Sequence, residues 1–347
     1  MPEKEVLIIS SLAEPCTKRV VDEINSSIAS VKVVFFEEAA LSASWAFETD
    51  NMGDINNISI KNNNDIAYSE CNDKYHSVWF RRWGYPVMPK SFSQKETAFA
   101  YGEFTALLSG IAACSNAKWV NPLDSERLAS NKIHQLNVAK RLGAKIPETL
   151  ITNNAEKVVD FKRRFRDVIF KPVSGATLNH YAHSKYAINA LKHHENIALR
   201  EQGQFSIFTQ VLTDQHLEQI SDVRWAPAIF QRQIMKSHEL RITVVGQDIF
   251  ACKIESQVSD VTAVDFRHMN TTGFVPHSTI DIPIRLKELI LRIMRELRID
   301  FGCFDFIVEK GTENYIFLEV NPSGQWLWIE DLTGAPISKS VAKLLLQ

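Results

Sequence analysis

The stretch 301–326 constrains the fold most, because it places polar side chains inside two otherwise apolar strands. Asp305 lies in the first apolar run, and Glu319 and Asn321 lie in the second. The polar residues 310–314 between the runs predict a turn centred on residue 312, and hence an antiparallel hairpin. Asp305 and Glu319 are equally distant from that centre, so we expect them to face each other, with Asn321 on the same side.

Two carboxylates that face each other repel unless a cation lies between them. Their position among Phe and Leu residues makes an unpaired charge still more costly. Oxygen ligands without histidine or cysteine suit Mg²⁺, which usually also bridges to phosphates. Asp305, Glu319 and Asn321 are therefore our candidate magnesium ligands. The alternative is a shifted hairpin register that leaves one carboxylate solvated at a sheet edge.

Two lysines are candidates for phosphate binding. Lys171 ends the strand predicted over 168–171 and precedes the small-residue segment 173–180, which could fold over phosphates. Lys132 lies in a helix predicted over 125–142. An ammonium group is a point charge suited to phosphate, although a single lysine is more often a solvated surface group. The loop after Lys171 matches neither the P-loop nor the dinucleotide-binding glycine pattern.

A second group of candidates lies between residues 228 and 256. The strand 228–234 could be a hinge whose backbone reads an adenine edge. Glu239 and Arg241 are two residues apart on the next strand and therefore share a face, and Lys253 lies on the strand after that. By themselves these residues describe an exposed alternating β surface. Together with the hairpin, an acid for ribose hydroxyls and cations for phosphates make one consistent nucleotide site.

The order of predicted elements indicates an α/β protein with α+β lobes. The chain opens with a strand–helix–strand unit, which is typical of α/β proteins. The first domain is predicted to contain strand 6–10, helix 15–28, strand 31–36, an Asn-rich exposed loop or loose hairpin over 50–75, strand 77–82 and helix 91–114, and to close near residue 120. Asp124 is predicted to cap the helix 125–142, which Gly143 ends. Later elements are strands 205–211, 228–234, 240–246 and 249–256, and helices 284–298 and 336–346.

Composition excludes several classes of protein. A net charge of −2 leaves no global positive field for nucleic acid or an anionic membrane. The five cysteines are far apart and form no CxxC pair, which excludes metal-finger spacing and disfavours a disulfide framework. No apolar run reaches the roughly 20 residues of a membrane span, and the N-terminus has no signal-peptide core. We expect a reduced, cytoplasmic protein without nucleic-acid or membrane partners.

The order of these motifs resembles the ATP-grasp superfamily. The shared elements are Lys132, FKP at 170–172, FQRQI at 230–234, ELR at 239–241, Asp305, and the E-x-N of Glu319 and Asn321. More narrowly, the chain resembles the ATP-grasp ligases that macrocyclise ribosomal peptides, as in microviridin-type graspetides. That resemblance rests on VWFRR at 78–82, QLNVAKRLGAKIPETLITNN at 135–154, ELRITVVG at 239–246 and NPSGQWLWIEDLTGAPI at 321–337. It extends over essentially the whole chain and is weakest over 37–75.

The resemblance implies an ATP-grasp fold with three lobes: an N-terminal α/β domain over 1–120, a central lid over 121–227 and a C-terminal ATP-binding domain over 228–347. It also implies ATP and Mg²⁺ as cofactors, an acyl-phosphate intermediate and ADP as product. By position, Lys132 and Lys171 would contact the phosphates or base, Gln231, Arg232, Gln233 and Ile234 would line the adenine, Glu239 would bind the ribose, and Asp305, Glu319 and Asn321 would hold Mg²⁺. Arg232 departs from the superfamily, because many members have an acidic residue there.

The resemblance further implies a precursor peptide with leader and core segments as substrate, crosslinked through side-chain esters or amides. The substrate carboxylate needs a cation beside the γ-phosphate, and Arg241 and Arg267 are our candidates. The segment 195–227 is predicted to dock the leader, with Asp222 and Arg224 fixing its register. Its apolar anchors would be Phe205, Ile207, Phe208, Val211 and Leu212. An ordinary lid hairpin is the alternative reading of that segment.

Two other functions remain open from the sequence. The first is an ATP-grasp ligase that joins an amino acid to a small molecule or a protein tail. The second is a non-catalytic nucleotide-binding module, against which the intact set of magnesium ligands argues. Members of the family are often homodimers, so the resemblance also raises a homodimer as a possibility.

Overall fold

The computed structural model describes residues 4–11, 14–27, 29–36, 43–49, 55–62, 67–68, 75–82, 84, 86–174, 177–178, 197–200, 204–207, 209–268 and 275–347. Within these residues the chain forms five β-sheets with helices packed on them. This mixture of helix and sheet confirms the predicted α/β class with α+β lobes. No helix in the described ranges is both long and apolar enough to cross a membrane.

The N-terminal sheet is parallel. It contains strands β1 (Glu5–Ser10), β2 (Ser30–Phe35), β6 (Ser77–Arg81) and β7 (Lys118–Val120), and it is accompanied by helices α1 (Pro15–Asn25) and α2 (Gln94–Cys114). The strand order is β2–β1–β6–β7, so β1 lies inside the sheet. Val6 to Ser10 are all buried, as expected for a parallel strand covered on both faces. The predicted strand–helix–strand opening is confirmed.

The Asn-rich region contributes a small antiparallel sheet. Its backbone forms strands β3 (Ala43–Thr49), β4 (Ile55–Asn62) and β5 (Ala67–Tyr68). The hairpin alternative predicted for residues 50–75 is therefore the one that the described backbone adopts.

The single helix predicted over 125–142 is wrong. Two helices occur instead, α3 (Leu123–Ala129) and α4 (Lys132–Arg141). Asn131 lies between them, and its side chain accepts a hydrogen bond from the backbone N–H of His134 at 3.0 Å, which caps α4. Because α3 starts at Leu123, Asp124 lies in its first turn and does not cap it. Gly143, with a φ of +97°, follows α4 as predicted.

A central antiparallel sheet follows, with the strand order β13–β9–β14–β8. Its elements are β8 (Thr149–Thr152), helix α5 (Ala155–Phe165), β9 (Val168–Pro172), β13 (Gln210–Val211), helix α6 (Asp214–Glu218) and β14 (Ala228–Arg232); a second small sheet contains β10 (Thr177–Leu178), β11 (Ile197–Arg200) and β12 (Gln204–Ile207). Strand β14 pairs with both β8 and β9. The strand predicted to open the C-terminal domain therefore pairs within the central sheet, and the three domain boundaries stay a prediction.

The C-terminal sheet is antiparallel, with the strand order β17–β16–β15–β18–β19. Its strands are β15 (Lys236–Val245), β16 (Asp248–Ile254), β17 (His277–Thr279), β18 (Phe301–Glu309) and β19 (Tyr315–Asn321); the helices around it are α7 (Asp260–Val264), α8 (Ile284–Leu297), α9 (Leu327–Thr333) and α10 (Ile337–Leu345). One face of this sheet packs on α8 and α4 through buried side chains such as Leu240, Phe304 and Phe317. The opposite face is apolar where Val245, Cys252 and Phe301 pack in a second core, and polar around Arg241 and Asp305.

The N-terminal sheet and helix α10 share one apolar core. Buried residues of β1 and α1 lie in the same cluster as Ile337, Val341 and Leu345 of α10. The Oγ atom of Ser77 also donates a hydrogen bond to the carbonyl oxygen of Leu345 at 2.6 Å. The two regions, distant in sequence, therefore form a single packed unit.

Candidate active site

A cavity of about 620 Å³ lies between the central sheet and the polar face of the C-terminal sheet. Lys171 of β9 and Gln231 of β14 line it from the central sheet. Glu239 of β15, Asp305 of β18 and Glu319 of β19 line it from the C-terminal sheet. The volume lies within the range usual for small-molecule and cofactor sites.

The predicted pairing of Asp305 with Glu319 is confirmed. The two strands do not, however, form the regular hairpin that the sequence predicts. Near the turn, Phe306 pairs with Phe317 and Val308 with Tyr315, which by continuation would place Leu318 opposite Asp305. A β-bulge between Asp305 and Phe306 on the ladder shifts the register by one residue and brings Glu319 opposite Asp305.

Both carboxylates are neutralised by cations within the chain. The Nη1 atom of Arg241 donates to both oxygens of Asp305, at 2.9 and 2.8 Å. The Nζ atom of Lys132 in α4 lies 2.7 Å from Oε2 of Glu319. Burial raises the pKa of Glu319, but the ammonium groups of Lys132 and Lys171 outweigh it and lower that pKa to about 2. Burial raises the pKa of Asp305, and the carboxylate of Glu319 adds to the effect against the attraction of Arg241.

The donor set fits a magnesium ion whose remaining ligands are phosphate oxygens and water. Asp305, Glu319 and Asn321 all line the cavity and offer oxygen ligands only. Within the described residues, no group of three His, Cys, Asp or Glu side chains could hold a metal by itself. Two carboxylates and one amide are a complement that Mg²⁺ accepts when a nucleotide supplies phosphate oxygens. The raised pKa of Asp305 also means that an added divalent cation would stabilise its ionised form.

Lys171 lies where β9 ends and reaches the same cavity. Burial lowers its pKa, while the carboxylate of Glu319 raises it. A buried ammonium of this kind is stabilised when an anion binds beside it. The position agrees with the phosphate contact predicted for this residue, which stays a prediction.

The hinge residues lie along β14 and the segment after it, and all four line the cavity. Gln231 is buried, and its Nε2 atom donates to Oγ1 of Thr149 at 2.9 Å. Its Oε1 atom is buried without a hydrogen-bond partner among the residues that the structure describes. Arg232, the departure from the superfamily pattern, donates from Nε to Oε2 of Glu148 at 2.6 Å. A buried acceptor in the cavity wall suits a nucleobase that carries an amino group.

Gln233 and Ile234, the last two hinge residues, are held by different contacts. The backbone N–H of Gln233 donates to the carbonyl oxygen of Asp167 at 2.9 Å. Ile234 is buried against Ile307 and Ile316, so it presents an apolar surface to the cavity. Both positions are consistent with a flat ring bound between the sheets.

Glu239 is buried beside a lysine that the sequence reasoning missed. The Nζ atom of Lys236 lies 2.6 Å from Oε1 of Glu239 and donates to the carbonyl oxygen of Val264 at 3.1 Å. Burial raises the pKa of Glu239, and Lys236 acts in the opposite direction. The motif KSHELR carries the signal, but Lys236 and Glu239 reach each other only because a β-bulge separates Lys236 from His238.

Lys253 does not belong to the site, which corrects our expectation. It pairs with Leu240 on the neighbouring strand, and paired residues point to the same face of a sheet. Leu240 is buried in the apolar core, on the face opposite the cavity. The ammonium group of Lys253 instead contacts Glu255 at 2.5 Å.

Arg267 lines the cavity, where a buried aspartate holds its guanidinium group. Its Nε atom donates to Oδ1 of Asp265 at 2.8 Å, and its Nη2 atom donates to Oδ2. Burial raises the pKa of Asp265, but the guanidinium of Arg267 outweighs it and holds that pKa well below the usual range. Asp265 also accepts a hydrogen bond from the backbone N–H of Thr209 at 3.1 Å. Arg267 is thus fixed at the cavity wall, between the central and C-terminal sheets.

The cavity wall carries more positive than negative side chains. Among the described residues, the positive ones are Arg82, Lys132, Lys171, Arg232, Lys236, Arg241 and Arg267, and the negative ones are Glu239, Asp265, Asp305 and Glu319. A cleft with this excess of positive charge attracts polyanionic ligands. Nucleoside triphosphates and substrate carboxylates are ligands of this class.

The loop that follows β19, residues 322–326, packs closely against Cys303 and Arg241 at the site. A Cβ atom built on Gly324 would lie 2.5 Å from Cβ of Cys303 and 2.9 Å from Nη2 of Arg241, so only glycine fits. The carbonyl oxygen of Gly324 accepts a hydrogen bond from Nη2 of Arg81 at 2.9 Å. Arg81 is 1% exposed, and its guanidinium lies 4.6 Å from the ring of Trp326. The NPSGQW motif is therefore tied to the N-terminal sheet.

The leader-docking segment is only partly described. Asp222 and Arg224 lie in a 3₁₀-helical stretch, Ile220–Trp225, and both are exposed. Leu212 is 1% exposed and packs in the core of the central sheet, so it is not available as an apolar anchor. The side chains of Phe205, Ile207 and Phe208 lie outside the described residues.

Several residues of the site could not have been found from motif order. Lys236 and Arg82 line the cavity, and Gln135 does so from α4. Besides Lys236, Gln135 carries a sequence signal, because it follows Lys132 by three residues and therefore shares its face of the helix.

Neither a protein-family model nor a curated protein matches the chain. Solved structures match it over nearly its whole length. A RiPP-associated ATP-grasp ligase from Chryseobacterium gregarium, in complex with ADP and a leader and core peptide, has a TM-score of 0.82 and 26% identity, covering 99% of this chain and 96% of that one. The macrocyclase MdnB from Microcystis aeruginosa MRC has a TM-score of 0.76 and 26% identity, covering 99% of each chain.

A third structure, the macrocyclase MdnC from Microcystis aeruginosa MRC bound to the precursor peptide MdnA, has a TM-score of 0.81 and 24% identity, covering 99% of each chain. These similarities agree with the arrangement of the cavity, in which acidic ligands and cations meet between two sheets. The chain therefore has the ATP-grasp fold, and the similarity to ATP-grasp ligases that macrocyclise ribosomal peptides, predicted from its motifs, is confirmed.

Proposed function

We propose that this chain is an ADP-forming ATP-grasp ligase that makes side-chain ester or amide crosslinks in a ribosomally synthesised precursor peptide. One observation carries the proposal. The opposed carboxylates of Asp305 and Glu319 meet an excess of positive side chains in a cavity of nucleotide size. A binding-only module would have little need for this concentration of paired charge, because phosphoryl transfer is the chemistry that requires it.

ATP would bind with its base beside Gln231 and Ile234 and its ribose near Glu239. Its phosphates would extend toward Lys171 and Lys132. Asp305, Glu319 and Asn321 would hold Mg²⁺, which would neutralise charge on the phosphates during transfer. The RiPP-associated ligase from Chryseobacterium gregarium was solved with ADP, and the ATP-grasp ligase PsnB with Mg and ADP, which supports this cofactor set.

The reaction would proceed in two balanced steps. An oxygen of the substrate carboxylate attacks the γ-phosphorus, the bond to the β-phosphate oxygen breaks, and ADP leaves. A hydroxyl or amine of the same peptide then attacks the acyl carbon and releases inorganic phosphate and a proton. Arg241 and Arg267 would orient the carboxylate, because both guanidinium groups are held at the cavity wall by carboxylates of the chain.

The substrate would be a peptide with a leader and a core. The ligase from Chryseobacterium gregarium was solved with such a peptide, and the MdnC macrocyclase with its precursor. Asp or Glu side chains of the core would supply the carboxylate, and Ser, Thr or Lys side chains would supply the nucleophile. We further propose that the protein is cytoplasmic, has no nucleic-acid or membrane partners, and is divided into three lobes at residues 120 and 227. We also propose a homodimer, which light scattering of the purified protein tests.

The function is tested with candidate precursor peptides, ATP and Mg²⁺. We expect ADP to form in step with crosslinking, and each crosslink to reduce the peptide mass by one water. Tandem mass spectrometry then separates ester from amide products. Formation of ADP only with free amino acids, and with no precursor peptide, would instead favour a ligase for small substrates.

Leader docking is tested by charge reversal on the exposed 3₁₀ stretch. Asp222→Lys and Arg224→Glu should each weaken leader-peptide binding, because exposed charges fix the register of a docked helix. Affinity for ADP should not change, since neither residue lines the cavity. Glu288→Lys, on the exposed surface of α8, is the matched control. If both reversals left peptide affinity equal to that of the control, the leader would dock elsewhere.

A further inference from the structure

Gln135 of α4 pairs with the backbone of the strand that carries the candidate magnesium ligands. Its Nε2 atom donates to the carbonyl oxygen of Val320 at 2.6 Å, and its Oε1 atom accepts from the N–H of Val320 at 3.1 Å. The same Nε2 atom donates to the carbonyl oxygen of Ala129, at the end of α3. Gln135 is 2% exposed, so these hydrogen bonds are shielded from water.

This arrangement replaces a missing strand. β18 is the strand that pairs with β19 within the described sheet, so β19 lies at its edge. Near the start of β19 the other side meets the backbone of Lys145, which accepts a hydrogen bond from the N–H of Phe317 at 2.8 Å. On the open side, the amide of Gln135 satisfies both polar backbone groups of Val320, as a neighbouring strand would. Only one orientation of the amide does so, because the opposite one would place the NH₂ group against an N–H and the oxygen against two carbonyls.

Val320 is the residue between the candidate ligands Glu319 and Asn321. Its side chain is 2% exposed and points into the apolar core, so the two flanking side chains point to the opposite face, into the cavity. A restraint on the backbone of Val320 therefore sets the direction of both ligands.

The same helix also contacts one of the ligands directly. Lys132 lies three residues before Gln135, on the same face of α4, and its ammonium group contacts Glu319. One face of α4 thus contacts the side chain of Glu319 and the backbone of Val320, two consecutive residues of β19. A helix docked on apolar contacts alone could slide by part of a turn, whereas the two directional hydrogen bonds to Val320 fix its position along the strand.

We propose that Gln135 is a positioning residue for the magnesium–nucleotide site: by pairing with Val320 it orients Glu319 and Asn321 toward the ion. The inference rests on the proposed function and adds a residue whose side-chain amide is engaged by the backbone of Val320 and Ala129. An apolar side chain of equal size would fill the same space but would leave both backbone groups of Val320 unsatisfied. Loss of partners that orient metal ligands typically weakens metal binding by about 10- to 100-fold.

The test measures ADP binding by calorimetry over a series of Mg²⁺ concentrations. Gln135→Glu keeps the shape but brings a carboxylate against two carbonyl oxygens, and Gln135→Met keeps the length without any hydrogen bond. In each variant we expect the Mg²⁺ concentration for half-maximal ADP binding to rise by about tenfold or more. The matched control is Val138→Ala, which removes buried apolar volume from the same helix and leaves the amide pairing intact.

The outcomes are separable. An unchanged Mg²⁺ midpoint in the Gln135 variants would overturn the inference, and so would an equal shift in Val138→Ala, because the effect would then be general destabilisation of α4. If Gln135→Glu does not fold, Gln135→Met decides the question by itself. Wild-type protein that bound no ADP at any Mg²⁺ concentration would refute the proposed function, and the inference with it.

Discussion

Replacement of Glu319 by glutamine tests the site most directly. The variant keeps the volume of the side chain and removes one negative charge from the pair that faces the cavity. It therefore alters two quantities at once: the stability of the protein without ligand, and the rate of phosphoryl transfer. The pKa of Glu319 gives an expected size for the stability change, and the role proposed for its carboxylate gives one for the rate change.

The stability change follows from the pKa of Glu319. Its lowering from the ordinary 4.5 to about 2 means that the folded protein stabilises the ionised carboxylate. A shift of this size corresponds to about 3 kcal/mol. Because the folded-state pKa is the lower one, this stabilisation is fully present above pH 4.5 and is lost as the pH falls toward 2. At pH 7.5 we therefore expect Glu319→Gln to lower the free energy of unfolding by about 3 kcal/mol.

The rate change follows from the role proposed for the carboxylate. Removing a group that stabilises the transferring phosphoryl charge commonly lowers the rate by about 10²–10³-fold. Urea unfolding at pH 7.5 measures the first quantity, and ADP formation at saturating Mg²⁺ and ATP measures the second. Glu313→Gln, at an exposed turn position of the same hairpin, is the control. A Glu319→Gln protein that matched this control in both assays would remove the acidic pair from the site.

Three further predictions concern neighbouring groups. Gly324→Ala should lower the free energy of unfolding by about 1–3 kcal/mol, because the new methyl group would lie 2.5 Å from Cys303; thermal unfolding measures this, and Gly102→Ala, in open space on α2, should not destabilise. Burial raises the pKa of Glu126 from 4.5 to about 7, so the folded protein binds this proton more tightly than the unfolded chain. The stability that Glu126 contributes should therefore be lost as the pH rises from 4.5 to 7. Urea unfolding at pH 5 and pH 8 measures this loss, which should reach up to about 3 kcal/mol in the wild type and be absent in Glu126→Gln. An unchanged pH profile in the variant would contradict this. Arg267→Ala should slow crosslinking at limiting peptide by about 10- to 100-fold, the effect of a lost hydrogen bond between charged groups; an intact rate would remove Arg267 from the substrate site.

The sequence predicted the parts of the site that depend on short-range geometry. Alternation places Asp305, Glu319 and Asn321 on one face of two neighbouring strands, as predicted. The pairing of Asp305 with Glu319 also depends on a β-bulge, which the sequence pattern does not indicate. The order of motifs also identified the fold, because most of them lie on strands, as Lys171, Glu239 and Asp305 do, and Lys132 begins a helix. These are local properties, and local properties can be read from one chain.

Two errors show where local reasoning fails. Lys253 was assigned to the site because its strand follows that of Arg241, but the hairpin register turns it to the other face. The helix over 125–142 was treated as continuous, although Asn131 is a strong N-cap residue and signals a new start. Gln135 shares a helix face with Lys132, but its partner Val320 is 185 residues away, and no periodicity reports such a contact.

The shared core of the N-terminal sheet and α10 has a consequence during protein synthesis. About 300 residues separate β1 from α10, so at 5–20 residues per second the first strands leave the ribosome roughly 15–60 s before the helix that covers them. Throughout that interval the apolar side chains of Ile8, Val20 and Ile24 lack part of their native packing. A nascent chain stopped before residue 337 should remain sensitive to protease over residues 4–36, and resistance there would contradict this order of events. The N-terminal strands and helix are thus synthesised first but reach their full native packing last.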